Sequence, residues 1–260
     1  MPGWAAGNAG ASARESAVMR QRLITAFGAA LILLAIAMPR AALAEHWRAV
    51  LVAGDTAQPV FDNAIRAVAT WLVEHGVAEA DVHRLAASAG WRNRAVEPAT
   101  LRQVLGRIAG LQSGPGDGCF VFITSHGGRG LGIYLSREDE MLTPKALAHA
   151  LGQGCAGVPT VVIVSGCYSG SFAQPPMAAP NRIVLTAARA DRSSFGCAAD
   201  RTYTDYDACL LGSLAHASSW QAAFAETKDC VSRREHQLGE TPSLPQAAFG
   251  AAVHNLPLQF

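Results

Sequence analysis

Two apolar runs fix the kind of fold this chain can adopt, because each is too continuous for a strand with one wet face and each ends on a residue capable of chemistry. Cys119-Phe-Val-Phe-Ile-Thr-Ser125 leads into His126-Gly127-Gly128, and Thr160-Val-Val-Ile-Val-Ser165 leads into Gly166-Cys167-Tyr168-Ser169-Gly170. Unbroken β-branched and aromatic runs of this length mark strands covered on both faces, hence a parallel sheet between helices. Sheets of that kind bind ligands outside the carboxyl ends of their strands. A histidine and a cysteine offered at one such edge point to a cysteine nucleophile and its general base.

The flanking sequence supplies the rest of an α/β pattern. Arg48 to Ala53 reads as a first strand closed by Gly54-Asp55, and Val60 to His75 as an amphipathic helix ended by Gly76. A short strand follows near Val82 to Leu85, then an irregular polar segment, then a helix from Pro98-Ala-Thr100 to about Leu111. Ser113 to Gly118 is a dense turn signal that delivers the chain into the His126 strand. After a glycine-rich loop and a small hairpin at Leu131 to Leu135, Thr143-Pro144 opens a helix that reaches Gln153. Beyond the Cys167 strand come a proline-rich loop, a strand at Arg182 to Thr186 and a polar loop to Asp207. Helices at about Cys209 to Ala217 and Ser219 to Arg234 and a proline-punctuated tail complete the chain. Strands alternating with helices predict a three-layer α/β sandwich with a mostly parallel central sheet.

Of the 260 residues half are apolar and 16% charged, enough for one such domain and a short targeting segment. The net charge of +1 comes with no basic run, which removes any electrostatic reason to expect nucleic acid as a partner. Arg20 and Arg22, the uncharged stretch Leu23 to Met38, and Ala42-Leu43-Ala44 before Glu45 have the layout of a secretory signal peptide. Cleavage after Ala44 divides the chain into a signal peptide, 1–44, and an exported domain, 45–260, periplasmic or secreted. The alternative is an N-terminal membrane anchor, against which the stretch is short and lacks a stop-transfer pattern. The mature chain holds 17 basic and 19 acidic residues of the 21 and 20 in the whole sequence. It also keeps Cys119, Cys155, Cys167, Cys197, Cys209 and Cys230. Export permits disulfides, the spacings match no zinc site, and a reactive Cys167 leaves five cysteines, so at least one more is unpaired.

Cys167 sits between Gly166 and Gly170, where the strand gives way to a turn, unlike the core position that is the commonest fate of a cysteine. A free thiol is only a few per cent thiolate at neutral pH, so an imidazole or a helix N-terminus beside it would sharpen its reactivity. The N–H groups of Gly127 and Cys167 are candidates for an oxyanion hole, where each donor contributes on the order of 3 kcal/mol.

Three segments carry a family resemblance: Ser125-His126-Gly127-Gly128, Ser165-Gly-Cys-Tyr-Ser-Gly-Ser171 and Leu185-Thr-Ala-Ala-Arg-Ala-Asp-Arg-Ser-Ser-Phe-Gly-Cys197. Together they resemble the legumain-type cysteine peptidases, peptidase family C13, over about Arg48 to Leu214. The order, histidine first and cysteine 41 residues later, also fits the wider caspase-like clan. The resemblance implies a caspase-haemoglobinase fold, a polypeptide substrate, no cofactor and no metal. It implies a His126 and Cys167 dyad that cleaves peptide bonds through an acyl-enzyme thioester, or passes the acyl group to an amine as the family's transamidase does. Legumains read a P1 asparagine with an arginine near the first helix and an acid two residues before the nucleophile. Here those positions hold Asp62 or Asn63, and Ser165. Ser194 and Asp207 still match the pocket. An acid-lined pocket with Asp207 and Asp62 predicts a basic P1 residue, unless Asp207 only caps a helix at Cys209.

Other functions fit less of the sequence. A non-catalytic exported binding protein on this fold would have lost the histidine or the nucleophile. An α/β-hydrolase would use a later histidine such as His216, His236 or His254, yet Gly166-Cys-Tyr-Ser-Gly170 does not center a nucleophile in G-x-S-x-G. A thiol-disulfide exchange protein would carry C-x-x-C. The tail is free to fold back as an inhibitor or to pack on the sheet, and the oligomeric state is left open.

Overall fold

The computed structural model describes residues 1, 3, 44, 46–89 and 95–260. The signal peptide expected at 1–44 lies outside them but for Met1, Gly3 and Ala44. In chain order the main-sheet strands are β1 (His46–Ala53), β2 (Val82–Ala86), β3 (Glu97–Pro98), β4 (Asp117–Thr124), β8 (Thr160–Ser165), β9 (Arg182–Thr186) and β10 (Gln246–Phe249). Three short strands, β5 (Gly127–Gly128), β6 (Gly132–Leu135) and β7 (Glu140–Leu142), form a separate antiparallel arm after His126. The helices are α1 (Val60–Glu74), α2 (Leu101–Ala109), α3 (Pro144–Gly154), α4 (Asp205–Leu214) and α5 (Trp220–Leu238).

Across the sheet the order is β10, β9, β8, β4, β1, β2, β3, with every pairing parallel except that of β10 with β9. The two apolar runs are thus central, and alternate side chains along them feed two cores. Ala49, Leu51, Phe120, Phe122, Val161, Ile163, Ile183 and Leu185 pack with α1, α4 and α5. Val50, Val52, Val121, Ile123, Val162, Val164 and Val184 pack with α2 and α3 on the other face. Burial on both faces is why these strands show no polar alternation. One disulfide ties each helical layer: Cys119–Cys155 joins β4 to the end of α3, and Cys209–Cys230 joins α4 to α5. Cys167 and Cys197 are the free thiols.

Two helix starts and one strand depart from the sequence reading. Pro98 lies in the edge strand β3, where a missing N–H is tolerated, and Thr100 caps α2 by accepting from the Gln103 N–H. α4 begins at Asp205, earlier than the expected Cys209, because Thr204 caps it by accepting from the Asp207 N–H at 3.0 Å. Asp207 is therefore a first-turn residue and not the cap. The tail holds a strand, β10, whose Gln-Ala-Ala-Phe sequence has no periodic signal; its register on β9 pairs Ala248 with Val184. Past it the chain ends with the Phe260 ring edge-on to Trp47 (5.0 Å), Trp71 (5.2 Å), Phe120 (6.0 Å) and Trp220 (6.3 Å). Trp47 and Phe120 lie toward the amino ends of their strands, so the tail packs at the end of the sheet away from His126 and Cys167.

Candidate active site

The parallel register lines up three strand ends. Ala53 of β1 pairs with Thr124 of β4, and Thr124 pairs with Ser165 of β8. The ladder extends one residue further, where the Gly54 N–H donates to the Thr124 carbonyl at 3.0 Å and the Ser125 N–H to the Ser165 carbonyl at 3.0 Å. Asp55, His126 and Cys167 each stand two residues beyond that line, on three adjacent strands. Sequence reading treated Asp55 only as part of a strand-closing turn; the shared offset is the signal that reveals it.

Asp55 is nearly buried, its Oδ1 accepting from the Ala57 N–H at 2.9 Å and its Oδ2 standing 3.9 Å from His126 Nε2. The Phe61 ring meets the His126 imidazole edge-on at 5.3 Å, which restricts its tilt, while 41% of the histidine side chain stays exposed. His126 is thus a wet imidazole with an acid behind one nitrogen and an aromatic wall beside it.

The turns demand the small residues the sequence places there. A Cβ on Gly127 would strike the Cys167 carbonyl, and one on Gly166 would come within 2.7 Å of the Ser125 carbonyl oxygen. The His126 and Cys167 turns therefore press backbone against backbone, which only glycine allows. Tyr168 takes a left-handed conformation with φ 58°, unusual for a bulky side chain and typical of strained positions at functional turns. Its N–H donates to the Arg192 carbonyl at 2.8 Å, and the Arg129 guanidinium lies 5.1 Å over its ring. The Cys167 N–H has no acceptor among the described residues.

The 187–204 loop comes back over the sulfur. The Ser194 N–H donates to Cys167 Sγ at 3.3 Å, and the Ser194 hydroxyl stands 3.7 Å from it. Ser194 is therefore a contact of Cys167 itself. Cys197, three residues on, differs from Cys167 in its surroundings: burial first, then the nearby Cys167, Asp207, Asp205 and Asp55, push its thiol up to about 12. It is held in the unreactive thiol form.

The other expected pocket residues sit apart. Asp207 is fully buried beneath the strand ends, where the Thr124 hydroxyl donates to its Oδ2 at 2.8 Å. Burial pushes this carboxyl up to about 6 against the lowering effect of the Ser165, Thr124 and Thr204 hydroxyls. Asp62, in the first turn of α1, is half-buried, and its Oδ1 has no hydrogen-bond partner. No contact joins it to Asp207, His126 or Cys167 among the described residues. Its neighbor Asn63 instead donates to the Thr202 carbonyl at 3.0 Å.

The model of the peptidase C13 family matches residues 91–253. The chain belongs to the peptidase C13 family. Among solved structures, caspase-1 from Spodoptera frugiperda is similar in fold, with a TM-score of 0.58 and 12% identity over 81% of this chain and 88% of that one. A comparison with curated proteins finds no match. This C13 protein is a cysteine-type peptidase on a caspase-like α/β fold, and its substrate class is polypeptide. No helix among the described residues is long and apolar enough to cross a membrane.

Proposed function

We propose that the protein is an exported cysteine endopeptidase in which Cys167 is the nucleophile and His126 its general acid and base. The observation that carries this reading is the shared register, which delivers Asp55, His126 and Cys167 at the same offset from three adjacent strands. Asp55 faces Nε2, so Nδ1 is the nitrogen left to serve the sulfur. The 3.9 Å separation is an ion-pair distance, one that shortens readily when substrate fills the site. Cys167 attacks the scissile carbonyl, His126 protonates the departing amine, and the same imidazole then draws a proton from the water that hydrolyses the thioester. Asp55 orients the ring and stabilises its charged form, the part played by the acid in hydrolase triads.

The N–H groups of Gly127 and Cys167 serve as the oxyanion hole. Support comes from their adjacency, since the Gly127 Cα lies against the Cys167 carbonyl, and from the unused Cys167 N–H. Ser194 borders the substrate beside the sulfur. Export is supported by the two disulfides, one in each helical layer, which belong to an oxidising compartment. A signal peptide at 1–44 fits that placement.

The test is alkylation of the mature protein by iodoacetamide, with the modified cysteine located by mass spectrometry. Cys167 should react at least tenfold faster than Cys197 and slow at least tenfold in His126→Ala, and the wild type alone should cleave peptides. Equal rates at the two thiols, indifferent to His126, would defeat the dyad.

A further inference from the structure

Beneath the dyad lies a charge that the peptidase mechanism does not use. Asp207 has no solvent exposure and no arginine, lysine or histidine partner among the described residues. Its Oδ2 accepts from Thr124 Oγ1, the Ser165 hydroxyl lies close, and Oδ1 has no partner within bonding geometry. Its main-chain N–H is held by the Thr204 cap. With its carboxyl titrating at about 6, the group is charged at neutral pH inside the protein. An unpaired buried carboxylate destabilises a fold, and groups kept at such expense cluster where geometry matters for function.

Thr124 and Ser165 are the last paired residues of β4 and β8, opposite one another, and each precedes a dyad member by two residues. We propose that Asp207 is a positioning residue, whose carboxylate ties Thr124 and Ser165 to the first turn of α4 and so fixes the approach of His126 to Cys167. Without the tie, β4 and β8 keep their ladder but lose the side-chain anchor at the point where both chains turn away. The inference rests on the dyad reading. It differs from a pocket role for the same residue, because Thr124, Ser165, Thr204 and Tyr206 are themselves buried around or beside it and leave no surface for a substrate side chain.

The experiment uses the mature protein as wild type, Asp207→Ala, Asp207→Asn and the double variant Thr124→Val/Ser165→Ala. It measures iodoacetamide alkylation of Cys167, and kcat and KM on fluorogenic peptides with Asn, Asp, Lys or Arg at P1. Asp207→Ala and the double variant should lower Cys167 alkylation and kcat about ten- to a hundredfold, with KM within about twofold for every peptide. Asp207→Asn keeps the shape and an acceptor for Thr124, so it should recover to within about threefold of wild type. If Asp207→Ala fails to fold, the double variant carries the test. Unchanged kcat in these variants, or a KM rise confined to the Lys and Arg peptides, overturns the positioning role; the second result would make Asp207 a pocket residue. A wild-type Cys167 that is indifferent to His126→Ala would instead remove the dyad, and with it the approach that Asp207 is said to fix.

Discussion

Replacing Asp207 with asparagine should raise the stability of the protein, by an amount that grows with pH in a defined window. Folding lifts this carboxyl from 3.8 to about 6. Between those values the folded protein retains a proton that the unfolded chain has released. The unfolded state then binds fewer protons, so this group's effect is to lower stability as pH rises through the window; above the folded value the loss is complete. Each pH unit of the window is worth about 1.4 kcal/mol, which gives about 3 kcal/mol in all. Asparagine is neutral throughout and can still accept from Thr124 Oγ1. Other carboxyl groups titrate over the same range, but they do so in both proteins and cancel in the difference. The melting temperatures of wild type and Asp207→Asn should therefore agree at about pH 4 and diverge by about 6–12 °C at pH 7.5, the variant higher. Scanning calorimetry at five or six pH values is sufficient. A difference that does not change with pH, or a wild type that is more stable at pH 7.5, would refute a carboxylate buried at this cost.

Asp55→Ala should lower kcat between about 10²- and 10⁴-fold with little change in KM, measured on any peptide the wild type cleaves, because it removes the acid facing His126 Nε2. Phe260→Ala should destabilise the fold by about 2 kcal/mol, roughly half the loss for a fully buried phenylalanine, while Cys167 alkylation below the melting range stays at the wild-type rate. Replacing either disulfide pair with alanine should lower stability by about 3–4 kcal/mol, from the loops closed by links 36 and 21 residues apart, again without slowing Cys167. Thermal melts beside the labelling assay check both.

The central strands were legible because burial on both faces leaves an unmistakable pattern; β9 falls at Arg182–Thr186 as read, and β8 coincides with its apolar run. The short elements were not. β10 owes its existence to the exposed edge of β9, which supplies hydrogen-bond partners to a Gln-Ala-Ala-Phe segment with no strand signal of its own. The start of α4 was missed because Thr204 lies among polar loop residues that hide a cap. His126 and Cys167 were visible as the candidate dyad at the ends of strong strands, whereas Asp55 needed the register of β1 on β4 to join it. Asp207 was visible as an acid, but its burial depends on three hydroxyls from separate segments, Thr124, Ser165 and Thr204, whose meeting no local pattern encodes.

The two ends of the sheet divide stability and the proposed chemistry between them. At the amino end Trp47, Trp71, Phe120, Trp220 and Phe260 meet in one aromatic cluster, with Phe260 edge-on to the other four rings and Phe120 tilted against Trp220, an arrangement that favors burial. At the carboxyl end the backbone is crowded and local preferences conflict: glycines stand where any Cβ would collide, Tyr168 holds a left-handed backbone, and the Asp207 carboxyl is buried without a cationic partner among the described residues. Local conflicts of this kind survive only where surrounding structure over-determines them and function gains from the result. Here the over-determination is the parallel ladder itself, because β1, β4 and β8 are locked by registers that run the length of each strand. A one-residue slip of β4 against either neighbor would turn its entire set of core side chains to the opposite face. The hydrophobic pattern that fixes the sheet is thus the same constraint that sets the common offset at which Asp55, His126 and Cys167 leave their strands, and the strained turns can be small because they inherit that placement.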